Sequence, residues 1–131
     1  MLGDSFPFGE TLDKSLYNAV VPYQCEIGRG GRLLYDGMGV LIYKHAKLGE
    51  DIVIGSGVTI GGRGSTRVPR IGNNVYLATG AKVLGDVTLG DYVFVGANAV
   101  VLHSVPSFSI VTGVPAKLIR GGITVDQFRA L

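Results

Sequence analysis

The chain has 131 residues, of which 47% are hydrophobic and 17% charged, a composition typical of one globular domain and not of a disordered protein. Its formal net charge of +2 argues against a nucleic-acid partner. No run approaches ~18 uninterrupted apolar residues, so we expect no membrane span.

Residues 1–20 differ from the rest of the chain because no repeat runs through them. They lack a basic region followed by a long apolar run, so we expect no signal peptide. Thr11 stands where it can cap a short helix, and we predict an N-terminal cap or strap over 1–20. The single cysteine, Cys25, cannot form an internal disulfide. We expect a small buried side chain and a cytosol-like compartment.

An aliphatic residue recurs at every sixth position through most of residues 21–120. The clearest members are Ile42, Leu48, Ile54, Ile60, Ile71, Leu77, Val83, Leu89, Val95 and Val101. Such a hexapeptide period is typical of a parallel β-helix, because two strand residues alternate in and out and a short turn follows. We therefore predict an all-β fold of about five stacked triangular coils with an aliphatic core.

One interruption of the repeat lies within residues 61–70. The count resumes at Ile71 and not at position 66, so five extra residues form an outward loop there. Arg63, Arg67 and Arg70 cluster in this loop. The cluster is either a solvated basic face or an anion site for a phosphorylated ligand.

The repeat ends near Val105, and the last residues are predicted to close the solenoid. Val125, Phe128 and Leu131 have helical spacing, which predicts a short helix within 121–131. Several apolar residues fall on outward positions of the repeat: Tyr43, Val53, Tyr76, Phe94, Val100 and Leu102. This column favours self-association with three-fold symmetry.

Three segments resemble the serine O-acetyltransferase-like branch of the hexapeptide acyltransferases. These are residues 39–64, residues 71–91 and the exit from Val95 to Arg120, which contains Val-Pro and Gly-Val-Pro-Ala-Lys. The resemblance implies a left-handed β-helix, a homotrimer with active sites between neighbouring solenoids, and acetyl-CoA along that groove. It assigns coenzyme contacts to Ala78, Thr79, Gly80, Ala97, Pro115, Ala116, Lys117 and Arg120. Alternatively, the small residues among them only satisfy tight coils.

The chain departs from serine acetyltransferases at two positions. Those enzymes carry Asp-His just before the glycine that aligns with Gly39, whereas here the sequence reads Tyr35-Asp36-Gly37-Met38. They carry a second histidine in the loop, where Val68 stands here. The sequence is therefore closer to short relatives in surface-polysaccharide biosynthesis, which acetylate sugar hydroxyls. Serine O-acetylation and a catalytically lapsed binding protein are the alternatives.

Acetyl transfer to a hydroxyl needs a base, and the chain has two histidines. His45 precedes the irregular loop and is the better candidate, with Asp36 to orient it or to bind the acceptor. His103 lies in the exit segment and is assigned to the surface or the coenzyme side. Tyr35 and Arg67 are expected to contact the acceptor. Alternatively, His45 is a solvated turn residue and not the base.

Two further classes share the solenoid. A γ-class carbonic anhydrase needs three histidines on zinc, which two histidines per chain make improbable, so we expect no metal. An ice-binding or scaffold solenoid uses flat, regular Thr-rich faces, and the arginine-rich loop argues against it. The identity of the acceptor, including hydroxyl against amine, is left open.

Overall fold

The computed structural model describes residues 19–22, 24–64 and 67–131, so the predicted cap over 1–20 lies almost entirely outside the described residues. The described chain winds through short strands separated by tight turns. In chain order the strands are β1 (Glu26–Ile27), β2 (Arg32–Leu33), β3 (Leu41–Ile42), β4 (Lys47–Leu48), β5 (Val53–Ile54), β6 (Thr59–Gly61), β7 (Arg70–Ile71), β8 (Tyr76–Leu77), β9 (Lys82–Leu84), β10 (Thr88–Leu89), β11 (Val93–Val95), β12 (Val100–Val101), β13 (Ser109–Thr112) and β14 (Lys117–Arg120).

Every third strand stacks on the one before it, which produces three sheets and a triangular cross-section. Sheet 1 has the order β1-β4-β7-β10, sheet 2 the order β2-β5-β8-β11-β13-β14, and sheet 3 the order β3-β6-β9-β12. All pairings are parallel except that of β13 with β14, which is antiparallel. The parallel solenoid predicted from the hexapeptide period is therefore confirmed.

The three corners of the triangle are named by the sheets that they join. The first corner joins sheets 1 and 2 through turns 28–31, 49–52, 72–75, 90–92 and 106–108. The second corner joins sheets 2 and 3 through turns 34–40, 55–58, 78–81 and 96–99. Turn 113–116 stacks on the last of these, although it joins β13 to β14 within sheet 2. The third corner joins sheets 3 and 1 through turns 43–46, 62–69, 85–87 and 102–104.

The aliphatic residues of the repeat form the core. All ten members of the sixth-position series are buried, and Ile54, Ile60 and Leu77 have no exposed surface. Their outward neighbours in the same strands, such as Val53 and Tyr76, are only half-buried. Each buried aliphatic side chain stabilises the stack by roughly 1.5–3 kcal/mol relative to an exposed one.

The solenoid has about four complete coils and not the expected five, because sheets 1 and 3 each contain four strands. Beyond these strands, the described residues add single bridges: Val20 makes one to Leu41, and Val105 makes one to Leu89. The chain leaves the hexapeptide period at both ends, so the first and last repeats cannot form full faces. At the C-terminal end, β14 folds back on β13 and stops the stacking.

A short helix, α1 (Val125–Arg129), follows the solenoid and confirms the predicted terminal helix. It begins at a capping box in which Thr124 and Gln127 satisfy each other's backbone amide groups. The Phe128 ring packs edge-on against Tyr92 at the first corner, with ring centroids 5.4 Å apart. No helix among the described residues has the length and apolarity needed to cross a membrane.

The first corner is closed by its own side chains. The Asn73 side-chain oxygen accepts from the backbone amide of Glu50 at 2.8 Å, and the Asp91 carboxylate accepts from the amide of Asn73 at 2.7 Å. The Ser107 hydroxyl then accepts from the amide of Asp91 at 2.9 Å. Each coil thus satisfies a donor of the coil before it, which fixes the stacking register.

Candidate functional site

The second corner brings together the residues that the sequence assigned to the coenzyme. Ala78, Thr79 and Gly80 form one of its turns, Ala97 lies in the next turn, and Pro115 and Ala116 lie in the last. Lys117 begins β14 at this corner, whereas Arg120 pairs with Ile110 at the other end of β13, toward the first corner. Residues 78 to 117 therefore contribute to one edge of the solenoid, and Arg120 lies on the adjoining face of sheet 2.

Backbone hydrogen bonds join successive turns of this corner. The amide of Gly57 donates to the carbonyl of Met38 at 2.8 Å, and the amide of Gly80 donates to that of Ser56 at 2.8 Å. The amide of Asn98 likewise donates to the carbonyl of Thr79 at 2.9 Å. Since strands stack about 4.8 Å apart, the four steps from the first turn to the last span about 19 Å.

The side chains of this corner are not all small for the same reason. Gly80 has a φ of +75°, and a Cβ there would collide with the side-chain oxygen of Asn98. The backbone conformation of the turn therefore favours glycine at this position, independently of any ligand. Thr79, Ala97 and Pro115 are exposed, so stacking does not explain their small size, and they leave the edge accessible along its length.

Charge is distributed unevenly along the corner. Lys117 and Arg120 are exposed cations on β14, beyond the last turn. At the opposite end, the turn between β2 and β3 carries Asp36. The C-terminal end of the edge thus suits a strongly anionic group, whereas the N-terminal end does not.

The first turn of the second corner is strained. Tyr35 and Asp36 both adopt left-handed backbone conformations, with φ of 54° and 57°. Such conformations are uncommon for residues other than glycine, asparagine and aspartate, and a bulky residue there costs of order 1–3 kcal/mol. Tyr35 is nevertheless 73% exposed, so its ring gains little compensating packing from the residues that the structure describes. Strain of this kind concentrates at functional sites.

His45 lies at the third corner, in the turn between β3 and β4. Its imidazole lines a cavity of about 180 Å³ together with Lys47, Arg67, Val68 and Arg70. Four of these five residues carry nitrogen cations or an imidazole, so the cavity is basic. His103 lies on the same corner in a later turn and is also exposed.

Asp86 holds the arginines of this cavity in place. Its carboxylate accepts from Arg67 Nη1 at 2.9 Å and lies 3.7 Å from Arg70 Nη1. The hydrogen bond from Arg67 to Asp86, and then the carboxylate charge, raises the pKa of the Arg67 guanidinium above its ordinary value. Among the described residues, Asp86 is the carboxylate that contacts both arginines, and Lys47 adds a further cation to the lining of the cavity.

The structure separates the two residues assigned to proton transfer. Asp36 precedes β3 at the second corner, and His45 follows β3 at the third, so they lie at opposite edges of sheet 3. No hydrogen bond or ion pair joins them within the described part of the chain. The suggested orientation of His45 by Asp36 therefore has no contact in a single chain.

An apolar groove between these two corners was missed in the sequence. It has a volume of about 650 Å³ on the outer face of sheet 3 and is lined by Leu41, Tyr43, Thr59, Gly61, Gly62, Gly64 and Leu84. Tyr43 and Leu41 are 39% and 45% exposed. The outward phase of Tyr43 was the available signal, but the glycines that form the floor belong to the irregular loop.

Cys25 is buried beneath the third corner. Its thiol donates to the carbonyl oxygen of Tyr43 at 3.3 Å, and burial raises the pKa of the thiol to about 11. The expected small buried side chain is confirmed. Among residues 19–22, 24–64 and 67–131, no three His, Cys, Asp or Glu side chains are grouped so that they could hold a metal ion.

Comparisons with known proteins agree with the fold. Residues 69–103 match the family described as "Bacterial transferase hexapeptide (six repeats)". The chain is 48% identical over 99 residues to a serine acetyltransferase of Staphylococcus xylosus, an alignment that covers 72% of this chain and 45% of that protein. It is 47% identical over 103 residues to the serine acetyltransferase of Staphylococcus aureus strain N315, an alignment that covers 75% of this chain and 48% of that protein.

Solved structures give the same result. The chain matches the serine acetyltransferase of Neisseria gonorrhoeae with a TM-score of 0.77 and 33% identity, over 81% of this chain and 43% of that one. It matches the serine acetyltransferase of Brucella abortus strain S19 in complex with coenzyme A with a TM-score of 0.78 and 33% identity, over 85% and 46%. The chain thus spans about half the length of the relatives it matches.

Proposed function

Because the chain belongs to the hexapeptide-repeat β-helix proteins related to serine acetyltransferases, we propose that it transfers an acetyl group from acetyl-CoA to the hydroxyl of a small acceptor. The observation that carries this proposal is the second corner. It offers one accessible edge about 19 Å long, with small exposed residues along it and cations at one end.

The edge fits an elongated acyl donor with phosphate groups at one end. Thr79, Ala97 and Pro115 would lie along its length, where small side chains allow the ligand to approach the backbone. Lys117 and Arg120 would bind the phosphates through charge-assisted hydrogen bonds. With this polarity, the thioester would lie toward the N-terminal coils, near the apolar groove of sheet 3.

His45 would act as the general base. Acetyl-CoA supplies the acetyl group as an activated thioester. His45 takes the proton of the acceptor hydroxyl as its oxygen bonds to the acetyl carbonyl carbon, and returns that proton to the sulfur when the carbon–sulfur bond breaks. A backbone N–H would stabilise the negative charge that develops on the carbonyl oxygen.

The basic cavity around His45 favours an acceptor that carries an anionic group beside its hydroxyl. Lys47, Arg67 and Arg70 surround the imidazole, and a carboxylate bound there would bring a neighbouring hydroxyl within reach of His45. A neutral sugar has no group for these cations. The sugar acceptor expected from the sequence is therefore less well supported than its alternative, serine, which is also the acceptor in the names of the relatives.

We also propose that the site is completed between copies of the chain. The donor edge and His45 lie at opposite edges of sheet 3, and the face between them exposes Leu41 and Tyr43. A three-fold assembly would cover this apolar face and bring one copy's Asp36 toward a neighbour's His45. Light scattering coupled to gel filtration tests this, and a monomer at assay concentrations would contradict it.

The experiment on the reaction measures free thiol released from acetyl-CoA with serine, with homoserine, and with neutral and acidic sugars as acceptors. We expect release that depends on serine and falls when the carboxylate of the acceptor is amidated. Release with neutral sugars alone would restore the sugar acceptor. Coenzyme A binding without release for any acceptor would identify a binding protein that has lost catalysis.

A further inference from the structure

Sheet 3 contains one ionisable side chain in its four strands, and it is Lys82. In the register of the sheet, Lys82 lies between Thr59 on β6 and Val100 on β12. The side chain is half-buried on a face that is otherwise apolar or uncharged. A cation in such surroundings loses part of its hydration, so other contacts must hold it there.

Those contacts are made to the second corner. Lys82 Nζ donates to the carbonyl oxygen of Gly57 at 2.8 Å and to that of Gly80 at 2.9 Å. The two carbonyls belong to successive turns of the edge proposed for the acyl donor. The ammonium group therefore ties these turns together and lies beside Thr79, which directly precedes Gly80.

An ammonium group has three hydrogen-bond donors. Two of the Lys82 donors are used by Gly57 and Gly80, and the third makes no hydrogen bond within the described part of the chain. The arm of an acyl-CoA that joins the phosphates to the thioester carries amide carbonyl oxygens, which are acceptors for such a donor. A positive charge fixed by two carbonyls needs little reorganisation to bind a third oxygen.

We propose that Lys82 is a further binding residue for the acyl donor, with its third N–H donating to an oxygen of the thioester-bearing arm. This inference rests on the proposed function. The position along the edge selects the arm over the phosphates, because Lys82 joins the second and third turns while Lys117 follows the fifth. The residue is neither at the cationic end of the edge nor in the cavity of His45.

The test compares wild type with Lys82→Met, which keeps the length of the side chain without its donors, and with Lys82→Arg, which keeps donors. Arg29→Met removes an exposed cation at the first corner and serves as the matched control. We expect Lys82→Met to raise the KM for acetyl-CoA about tenfold or more, with kcat within about twofold. Lys82→Arg should recover part of the KM, and Arg29→Met should leave it unchanged.

Inhibition by pantetheine, which lacks the nucleotide phosphates, identifies the contact. Lys82→Met should weaken this inhibition as much as it raises the KM, whereas Lys117→Met should raise only the KM for acetyl-CoA. An unchanged KM in Lys82→Met, or unchanged pantetheine inhibition, overturns the inference. The inference is also overturned if Lys82→Met lowers the thermal midpoint of unfolding and Lys82→Arg restores neither that midpoint nor the KM. If wild type releases no thiol with any acceptor, the proposed function itself fails.

Discussion

The second and third corners of the solenoid solve different problems with the same repeat. The second corner keeps strict register from turn 55–58 onward, is tied mainly by backbone hydrogen bonds such as Gly80 to Ser56, and presents small side chains along a long edge. The third corner breaks the register with the loop over 62–69 and gathers Arg67, Arg70 and His45 around one cavity. Regularity thus suits an extended ligand, and irregularity suits a compact one.

The first corner provides the reference for both. Its turns are closed by side chains that accept from the preceding coil, as Asp91 does from Asn73, and by the stacked rings of Tyr92 and Phe108, whose centroids lie 5.1 Å apart. The first corner contributes none of the residues assigned to the donor edge and none of those that line the cavity around His45. Substitutions at the first corner are therefore suitable controls for those at the other two.

The largest expected effect is that of His45→Gln at the third corner. We expect kcat to fall by about 10² or more, because glutamine cannot take the proton of the acceptor hydroxyl. The dissociation constant of coenzyme A, measured by calorimetry, should stay within about twofold, because the second corner is untouched. If coenzyme A binding weakened in parallel with kcat, the two corners would not have separate roles.

Ala97→Trp probes the second corner by steric obstruction. Ala97 is exposed, so a bulky side chain should be accommodated without disturbing the core, but it would occupy the edge. We expect the KM for acetyl-CoA to rise about tenfold to a hundredfold, because the bulky side chain costs about 1–3 kcal/mol of its binding free energy. The KM for the acceptor should be unchanged. Arg29→Trp at the first corner is the control, and equal effects of the two variants would contradict the assignment.

The core and the sheets could be predicted from the sequence because burial repeats with the period of the coil. Ile54 and Leu77 are buried because the sixth position of each repeat points into the core, and the same position defines the pattern in the sequence. The five extra residues of the loop also explain why Gly57 and Gly80 stack 23 residues apart, which is three hexapeptides plus the loop. The phase of each residue in the repeat thus fixes its corner.

Other features depend on interactions that no period encodes. The left-handed conformations of Tyr35 and Asp36 arise where the register slips by three residues, and a slip reveals only that the backbone must deviate. The bridge from Lys82 to two carbonyls depends on the path of a long side chain. The separation of Asp36 from His45 could have been foreseen, because half a coil lies between them.

Arg67→Met should have a smaller and selective effect on the third corner. We expect the KM for serine to rise about tenfold, since a charge-assisted hydrogen bond to the carboxylate would be lost, while the KM for acetyl-CoA is unchanged. Asp86→Asn offers the matched test, because it weakens the anchor of Arg67 without removing the cation. Kinetics at two salt concentrations should show a weaker salt dependence in Arg67→Met. An equal response of both substrates would refute a separate acceptor cavity.

The smallest expected effect is a dependence of stability on alkaline pH that originates beneath the third corner. Burial raises the pKa of Cys25 from 9.0 to about 11, so the unfolded chain loses this proton at lower pH than the folded chain. The contribution to the free energy of unfolding is constant below about pH 9 and is lost as the pH rises toward 11. Urea midpoints at pH 8 and pH 10.5 should therefore differ more for wild type than for Cys25→Ala, which retains every other titrating group.

Since the thiol donates to the carbonyl of Tyr43, amide exchange should accelerate at the third corner before the second. Uniform acceleration along the solenoid would show that the two corners open together, and the distinction between them would then be one of ligand chemistry and not of local stability.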